Sequence, residues 1–183
     1  MDMLKCFLTV EVDQAGQLLT AEQCRNHKLF AGGEIALNFG ETKQLSPLEI
    51  SKNARLMKYQ GQFPVISLGL KEVEGSSYEE IEEAVKEQIV DLYAQHMYLD
   101  IYVNTANKQL INSDKKKLQR FFDKEINNKD LTTSLRFLSM LLSKHFGKPV
   151  YILLDEYDTP INSAYLKVKD EACLLYTSDA ADD

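Results

Sequence analysis

The stretch that most constrains this chain is Val150-Tyr151-Ile152-Leu153-Leu154-Asp155-Glu156-Tyr157-Asp158, an unbroken apolar run that ends in three carboxylates within four positions. A run of this length without alternation is the pattern of a strand covered on both faces, as in a parallel sheet. Open α/β sheets place their chemistry just beyond the C-terminal ends of such strands, where Asp155 and Glu156 fall. The plainer reading is a buried strand that stops at a solvated acidic turn, with Asp158-Thr159-Pro160 as turn residues.

Two adjacent acids after a buried strand are also the Walker B arrangement of P-loop ATPases. There the first acid holds Mg²⁺ and the second orients or deprotonates the attacking water. The segment from Tyr151 through Tyr165 closely resembles the Walker B segment of the bacterial AAA-ATPase-like family. Members of that family often carry a PD-(D/E)XK nuclease-like domain C-terminally. The resemblance continues through Phe63-Pro64-Val65-Ile66-Ser67-Leu68, Gly75-Ser76-Ser77-Tyr78-Glu79-Glu80-Ile81-Glu82 and Ser134-Leu135-Arg136-Phe137-Leu138, and it covers residues 1–172.

The resemblance implies an α/β fold, a partial P-loop NTPase-type (AAA-like) parallel sheet flanked by helices, with the Phe63 and Val150 strands side by side. It implies ATP and Mg²⁺ as cofactors, Asp155 as the residue that holds Mg²⁺ and meets the nucleotide, and Glu156 as the catalytic residue. Asp158 would support Asp155 from behind. Nucleic acid would be met only through a C-terminal nuclease-like domain, and no protein partner is indicated.

Both ends depart from the family pattern. A Gly-Lys-Ser/Thr phosphate loop normally opens a helix just before the part that Met1-Asp2-Met3-Leu4-Lys5-Cys6-Phe7 resembles. No G-x-x-x-x-G-K-[ST] occurs in the 183 residues, and Gly32-Gly33 has no lysine after it. Without that loop, no run of backbone N–H groups is evident to cradle the phosphates. At the other end, residues 173–183 resemble the in-frame translation of a transposon-end sequencing adapter and are set apart from fold reasoning. The expectation is therefore a fragment, inactive alone, in which residues 1–172 form a partial ATPase-like domain with apolar sheet surface left exposed.

Two further readings stand beside the ATPase. One is a non-catalytic, protein-binding scaffold of the same fold. The other is a metal nuclease using Asp155, Glu156 and Asp158 as hard oxygen ligands, for which no nearby D…[DE]-x-K lysine is evident.

Charge and cysteine usage narrow the classes. The net charge is −7, and without the three aspartates of the 173–183 tail it is −4, 25 acids against 21 bases. Neither value suggests a basic nucleic-acid footprint. Three cysteines at no metal-like or framework spacing suit a reducing, cytoplasmic setting. No apolar run reaches the roughly 18 residues of a membrane span, and residues 1–7 lack the basic start and long apolar stretch of a secretory leader.

Local patterns supply the remaining elements. Met1, Leu4, Phe7 and Leu8 fall at helical spacing, residues 9–12 read as extended, and Asp13-Gln14-Ala15-Gly16 breaks the pattern. Thr20-Ala21-Glu22-Gln23 fits a capping box, with a helix to about Leu29 and a stop at Gly32-Gly33. Residues 34–59 carry little signal beyond a short strand or insertion at 35–39. Pro64 opens the Phe63 strand, and Ser77 with Glu80 caps a helix whose inner face carries Ile81, Val85, Ile89 and Leu92. Its acids read as a solvated face. Residues 113–126 read as a helix bearing the Lys115-Lys116-Lys117 cluster on a solvated side, and Asn127-Asn128-Lys129-Asp130 as a loop. Thr132 or Thr133 should cap a last helix, with Lys144 and His145 in its final turn and Gly147 ending it. His27 and His145 read as packing or helix-end residues, with no second ligand at metal spacing.

Overall fold

The computed structural model describes residues 2–37, 40–75, 77–104 and 109–162. The 173–183 tail and the 163–172 part of the resemblance lie outside them. Helix α1 (Asp2–Leu8) follows the expected spacing, and its Phe7 is buried. The chain then runs extended beside Phe63: Val10 N–H donates to Phe63 O at 2.9 Å, and Phe63 N–H to Leu8 O at 3.0 Å. The turn expected at 13–16 is held by Asp13 Oδ1, which accepts from Ala15 and Gln17 N–H.

Helix α2 (Arg25–Ala31) starts later than the capping box predicts. Gln23 Oε1 does accept from Thr20 N–H at 3.0 Å, but that bond closes a separate turn before the helix. Cys24 occupies the cap position, but its thiol makes no capping bond and donates to Leu19 O at 3.7 Å instead. The obscure stretch after it holds an antiparallel hairpin of β1 (Gly33–Ala36) and β2 (Thr42–Leu45), then a 3₁₀ turn and the short helix α3 (Ala54–Met57). The insertion-or-strand segment at 35–39 is thus strand through Ala36, and Asn38 and Phe39 lie outside the described residues.

Strand β3 (Val65–Gly69) begins after Pro64 as expected, and helix α4 (Tyr78–Ala94) begins where Ser77 Oγ accepts from Glu80 N–H at 3.2 Å. Ile89, Leu92 and Tyr93 are buried along it, and Val85 packs against the same core. Helices α5 (Ile101–Asn104), α6 (Asn112–Phe122), α7 (Asn128–Thr132) and α8 (Ser134–Phe146) then lead to strand β4 (Tyr151–Asp155). Strands β3 and β4 pair in parallel, Val65 opposite Tyr151 through Gly69 opposite Asp155. The side-by-side placement of the two apolar runs is as expected.

Three local expectations fail for identifiable reasons. Helix α6 stops at Phe122 because Lys124 adopts a left-handed φ of 63°. Its N–H then reaches Phe121 O at 3.3 Å while Glu125 N–H reaches Arg120 O at 2.8 Å, a Schellman closure with lysine in the glycine place. The expected loop at 127–130 is instead the start of α7, because Asn127 Oδ1 accepts from Asp130 N–H at 2.9 Å. Thr133 occupies the cap position of α8, yet its hydroxyl donates to Lys129 O at 2.9 Å and leaves that cap unmade. Gly147 ends α8 in the left-handed region, as expected.

The core is a single cluster that joins Ile66 and Leu68 of β3 to Ile89, Leu92 and Tyr93 of α4, Leu118 and Phe121 of α6, and Phe137, Leu138, Leu141 and Leu142 of α8. Tyr93 stacks on Phe121 at 3.8 Å with planes 3° apart, and its hydroxyl donates to Ser134 O at 2.9 Å. Burial pushes that phenol far above its ordinary pKa, and Asp130 adds to the effect. Under this cluster, Arg120 grips Asp130 with two bonds, Nε to Oδ2 at 2.8 Å and a terminal nitrogen to Oδ1 at 2.7 Å. The Lys115-Lys116-Lys117 cluster is therefore not uniformly solvated. Lys117 lies 4.8 Å over the Phe137 ring and donates to Thr133 Oγ1.

The largest correction concerns β4. It was expected to be covered on both faces, but among the described residues it is an edge strand of a two-stranded sheet. Tyr151, Ile152 and Leu154 are 44%, 43% and 42% exposed. An all-apolar run specifies burial, but coverage comes from other elements, and among the described residues β3 is the neighbour this strand pairs with. Apolar sheet surface is thus exposed along β4.

Candidate functional site

Parallel pairing brings the C-terminal ends of β3 and β4 level, with Gly69 beside Asp155 and Leu70 N–H donating to Asp155 O at 3.0 Å. Asp155 ends the strand and Glu156 follows with a φ of 51°, one of two non-glycine residues with positive φ among those described. A left-handed glutamate costs about 1 kcal/mol or more, and such strain concentrates at functional sites. The turn is held by Thr159 N–H to Glu156 O at 3.1 Å.

Residues 159–162 are helical, and Pro160 suits the first turn because it has no N–H to leave unpaired. Asn162 N–H donates to Asp158 O at 2.9 Å, and its side-chain amide to Asp158 Oδ2 at 3.1 Å. The Asp158 carboxylate therefore engages its own turn. Asp155, Glu156 and Asp158 are all exposed.

Among the described residues, no three His, Cys, Asp or Glu side chains gather as a metal-ligating group. The three carboxylates predicted as a site are thus neighbours along the chain that do not converge on one point. Mg²⁺ asks for less than a cage, since it commonly takes one or two carboxylates and fills its octahedron with water and phosphate oxygens. An exposed strand-end aspartate such as Asp155 fits that requirement. A nucleotide's phosphates would need a backbone cradle, and the sequence contains no phosphate-loop pattern to form one.

The three histidines are all tied into the fold. His27 Nδ1 lies 2.8 Å from Gln60 Oε1, as expected for a packing residue. His145 is in the last turn of α8, but it does more than end that helix. Its Nε2 is 3.0 Å from Gly16 O and its Nδ1 is 3.0 Å from the Tyr102 hydroxyl. A neutral ring satisfies both bonds, with Nε2–H donating to the carbonyl and Nδ1 accepting from the phenol. Gly16 has a φ of 77°, and a Cβ there would lie 2.9 Å from Tyr98 Cδ2, so glycine is required. His96 bonds the Tyr98 hydroxyl at 2.8 Å, and burial lowers its pKa to about 4, with Lys5 contributing.

Sequence reading missed the Arg120–Asp130 pair and the tie between His145 and Gly16. Ten residues separate the first pair and 129 the second, and no periodicity or motif spans either gap.

The parallel pair of strands and the helices that connect them make this a mixed α/β protein. The family described as Predicted AAA-ATPase has a sequence model that matches residues 38–173, and the chain belongs to that family. The match takes in β3, α4, α8 and β4 and begins downstream of residues 1–37, which the expected resemblance included. No curated protein and no solved structure matches the chain. Among the described residues, no helix is long and apolar enough to cross a membrane.

Proposed function

We propose that this chain carries the metal- and water-handling part of a P-loop-type ATPase site. The observation that carries the reading is the pair Asp155-Glu156 at the C-terminal end of a parallel strand, in a chain of the AAA-ATPase-like family. Asp155 would hold Mg²⁺, directly or through water, and Glu156 would polarise the hydrolytic water. Mg·ATP, when bound, supplies the electrophilic phosphoryl group and the charge neutralisation that its transfer needs. Asp158 keeps the turn behind the acids in place through Asn162. A bacterial, cytoplasmic setting and a nuclease-like domain beyond this segment belong to the same proposal.

Because the 183 residues contain no phosphate-loop motif, the chain alone is proposed not to turn over ATP. Phosphate release by the isolated chain with Mg·ATP should stay at background. Turnover that Glu156→Gln abolishes would overturn that part. Long-read sequencing of the source DNA should find a G-x-x-x-x-G-K-[ST] encoded upstream. In a protein that joins such a loop to this chain, Glu156→Gln should lower kcat by roughly 10²–10⁴-fold, the usual reach of a general base.

A scaffold without catalysis is the second reading, favoured by the absence of the phosphate-loop motif from this sequence. Genuine genomic sequence that encodes no such loop would select it. The nuclease reading draws no support from the geometry, since the three carboxylates do not gather.

A further inference from the structure

The chain is acidic overall, yet its basic residues are unevenly placed. Residues 50–71 contain Lys52, Arg55, Lys58 and Lys71 and no acid, and residues 131–154 contain Arg136, Lys144 and Lys148 and no acid. Lys71 lies past the C-terminal end of β3 and Arg136 at the start of α8. Residues 59–63 and 148–151 of these segments meet at the N-terminal ends of β3 and β4, the opposite end of the sheet from Asp155. There Phe63 packs edge-on against Tyr151, with ring centroids 5.0 Å apart. Tyr59 stacks on Phe63 at 6.4 Å with planes 15° apart. Phe63 is half-buried, while Tyr59 is 55% and Tyr151 44% exposed. A half-buried phenylalanine at a strand start is ordinary packing. The tyrosines that contact it both keep exposed surface.

Two cations share a cleft with Tyr59. Arg55, Lys58, Leu56, Asn53 and Tyr59 line a shallow cleft of about 370 Å³. Glu49, the acid closest in sequence, is engaged by Lys52 at 2.6 Å. Among the described residues, neither Arg55 nor Lys58 forms an ion pair. Lys148 donates to Gln62 Oε1 at 2.9 Å, which holds its ammonium at the same end of the sheet.

We propose that the Tyr59–Phe63–Tyr151 row with Arg55, Lys58 and Lys148 is a binding surface for single-stranded nucleic acid. Open aromatic faces beside cations outside any ion pair match a ligand that offers flat bases and phosphates together. A duplex keeps its bases stacked internally and would leave the tyrosines unused. An acidic peptide would meet the cations but offers nothing regular to stack. The surface is remote from Asp155 and Glu156 and does not rest on the ATPase reading.

The test is fluorescence anisotropy of the full chain with a labelled oligothymidylate of about 15 nucleotides, in salt of about 50 mM and without nucleotide or Mg²⁺. Tyr59→Ala should weaken binding about ten-fold, and Tyr59→Phe should leave it near the parent value. Arg55→Glu with Lys58→Glu should reduce the slope of log K against log salt by about 0.7 for each phosphate no longer neutralised. Circular dichroism of each variant verifies that it is folded.

Four results would overturn the proposal. They are absence of binding, equal affinity for a duplex of the same length, indifference to Tyr59→Ala with full competition by polyphosphate, and abolition of binding by Lys116→Glu with Lys124→Glu instead. Because the assay contains no nucleotide, its failure leaves the ATPase reading untouched.

Discussion

Asp130→Asn tests the buried ion pair that holds the helical layer together. The Asp130 side chain is 5% exposed and Arg120 is 38% exposed, with two hydrogen bonds between them. Removing one partner of a fully buried pair costs about 3–5 kcal/mol, because the other charge is left uncompensated. Arg120 can turn partly to water, so the cost here is smaller, about 2 kcal/mol. For a chain of this size that lowers Tm by roughly 4–8 °C.

The pH dependence makes the test specific. The hydrogen bonds from Arg120 hold the Asp130 carboxyl below its ordinary pKa, against the opposing effect of burial. A carboxylate depressed in the folded state stabilises fully above its unfolded pKa of about 4, and that contribution disappears as pH falls through the folded value. Asparagine does not titrate. Urea denaturation at a series of pH values should therefore show a full gap between parent and variant at neutral pH, closing as the solution is acidified below the unfolded value. A variant within about 0.5 kcal/mol of the parent at neutral pH would refute the reasoning. So would a gap that acid leaves unchanged.

The remaining predictions concern backbone strain and core packing. Gly147→Ala should cost about 1 kcal/mol in a thermal melt, because φ is 64° there and no atom lies within 4 Å of the added Cβ, so the penalty is purely conformational. Glu156→Gly should act in the opposite sense, stabilising by about 1 kcal/mol as the left-handed strain is relieved; equal melting of parent and variant would remove the strain argument. Leu138→Ala, at a side chain with 0% exposure in the centre of the core cluster, should cost roughly 2–5 kcal/mol in urea denaturation, and a cost under about 1 kcal/mol would mean that α8 is not packed as described.

Much of the fold is legible because its signals are short-range. The Ser77 cap, Gly147 and the spacing of Ile81, Val85, Ile89 and Leu92 each act within a turn or two of helix. Where local signals compete, reading fails. Thr133 could cap its own helix or bond back to Lys129, and the structure takes the second. Lys124 stands where glycine usually marks a Schellman closure, so α6 gave no warning of its end. At the candidate site, the acids and their strand were legible. Their failure to gather into a metal-ligating group was not, since that depends on how the turn after Glu156 is wound.

The sequence alone determined that an apolar run ends in Asp155 and Glu156, that a second run near Phe63 accompanies it, and that capped helices lie between. These are consequences of side-chain polarity and backbone preference over a few residues. Only the tertiary structure decided that β4 is an edge with apolar residues in water, that Arg120 finds Asp130, and that Tyr59, Phe63 and Tyr151 form one row. Phe63 and Tyr151 are 88 positions apart in the chain, and no local energy term links them. They meet because β3 and β4 pair in parallel in the register that sets Val65 beside Tyr151, a long-range pairing that no local signal specifies.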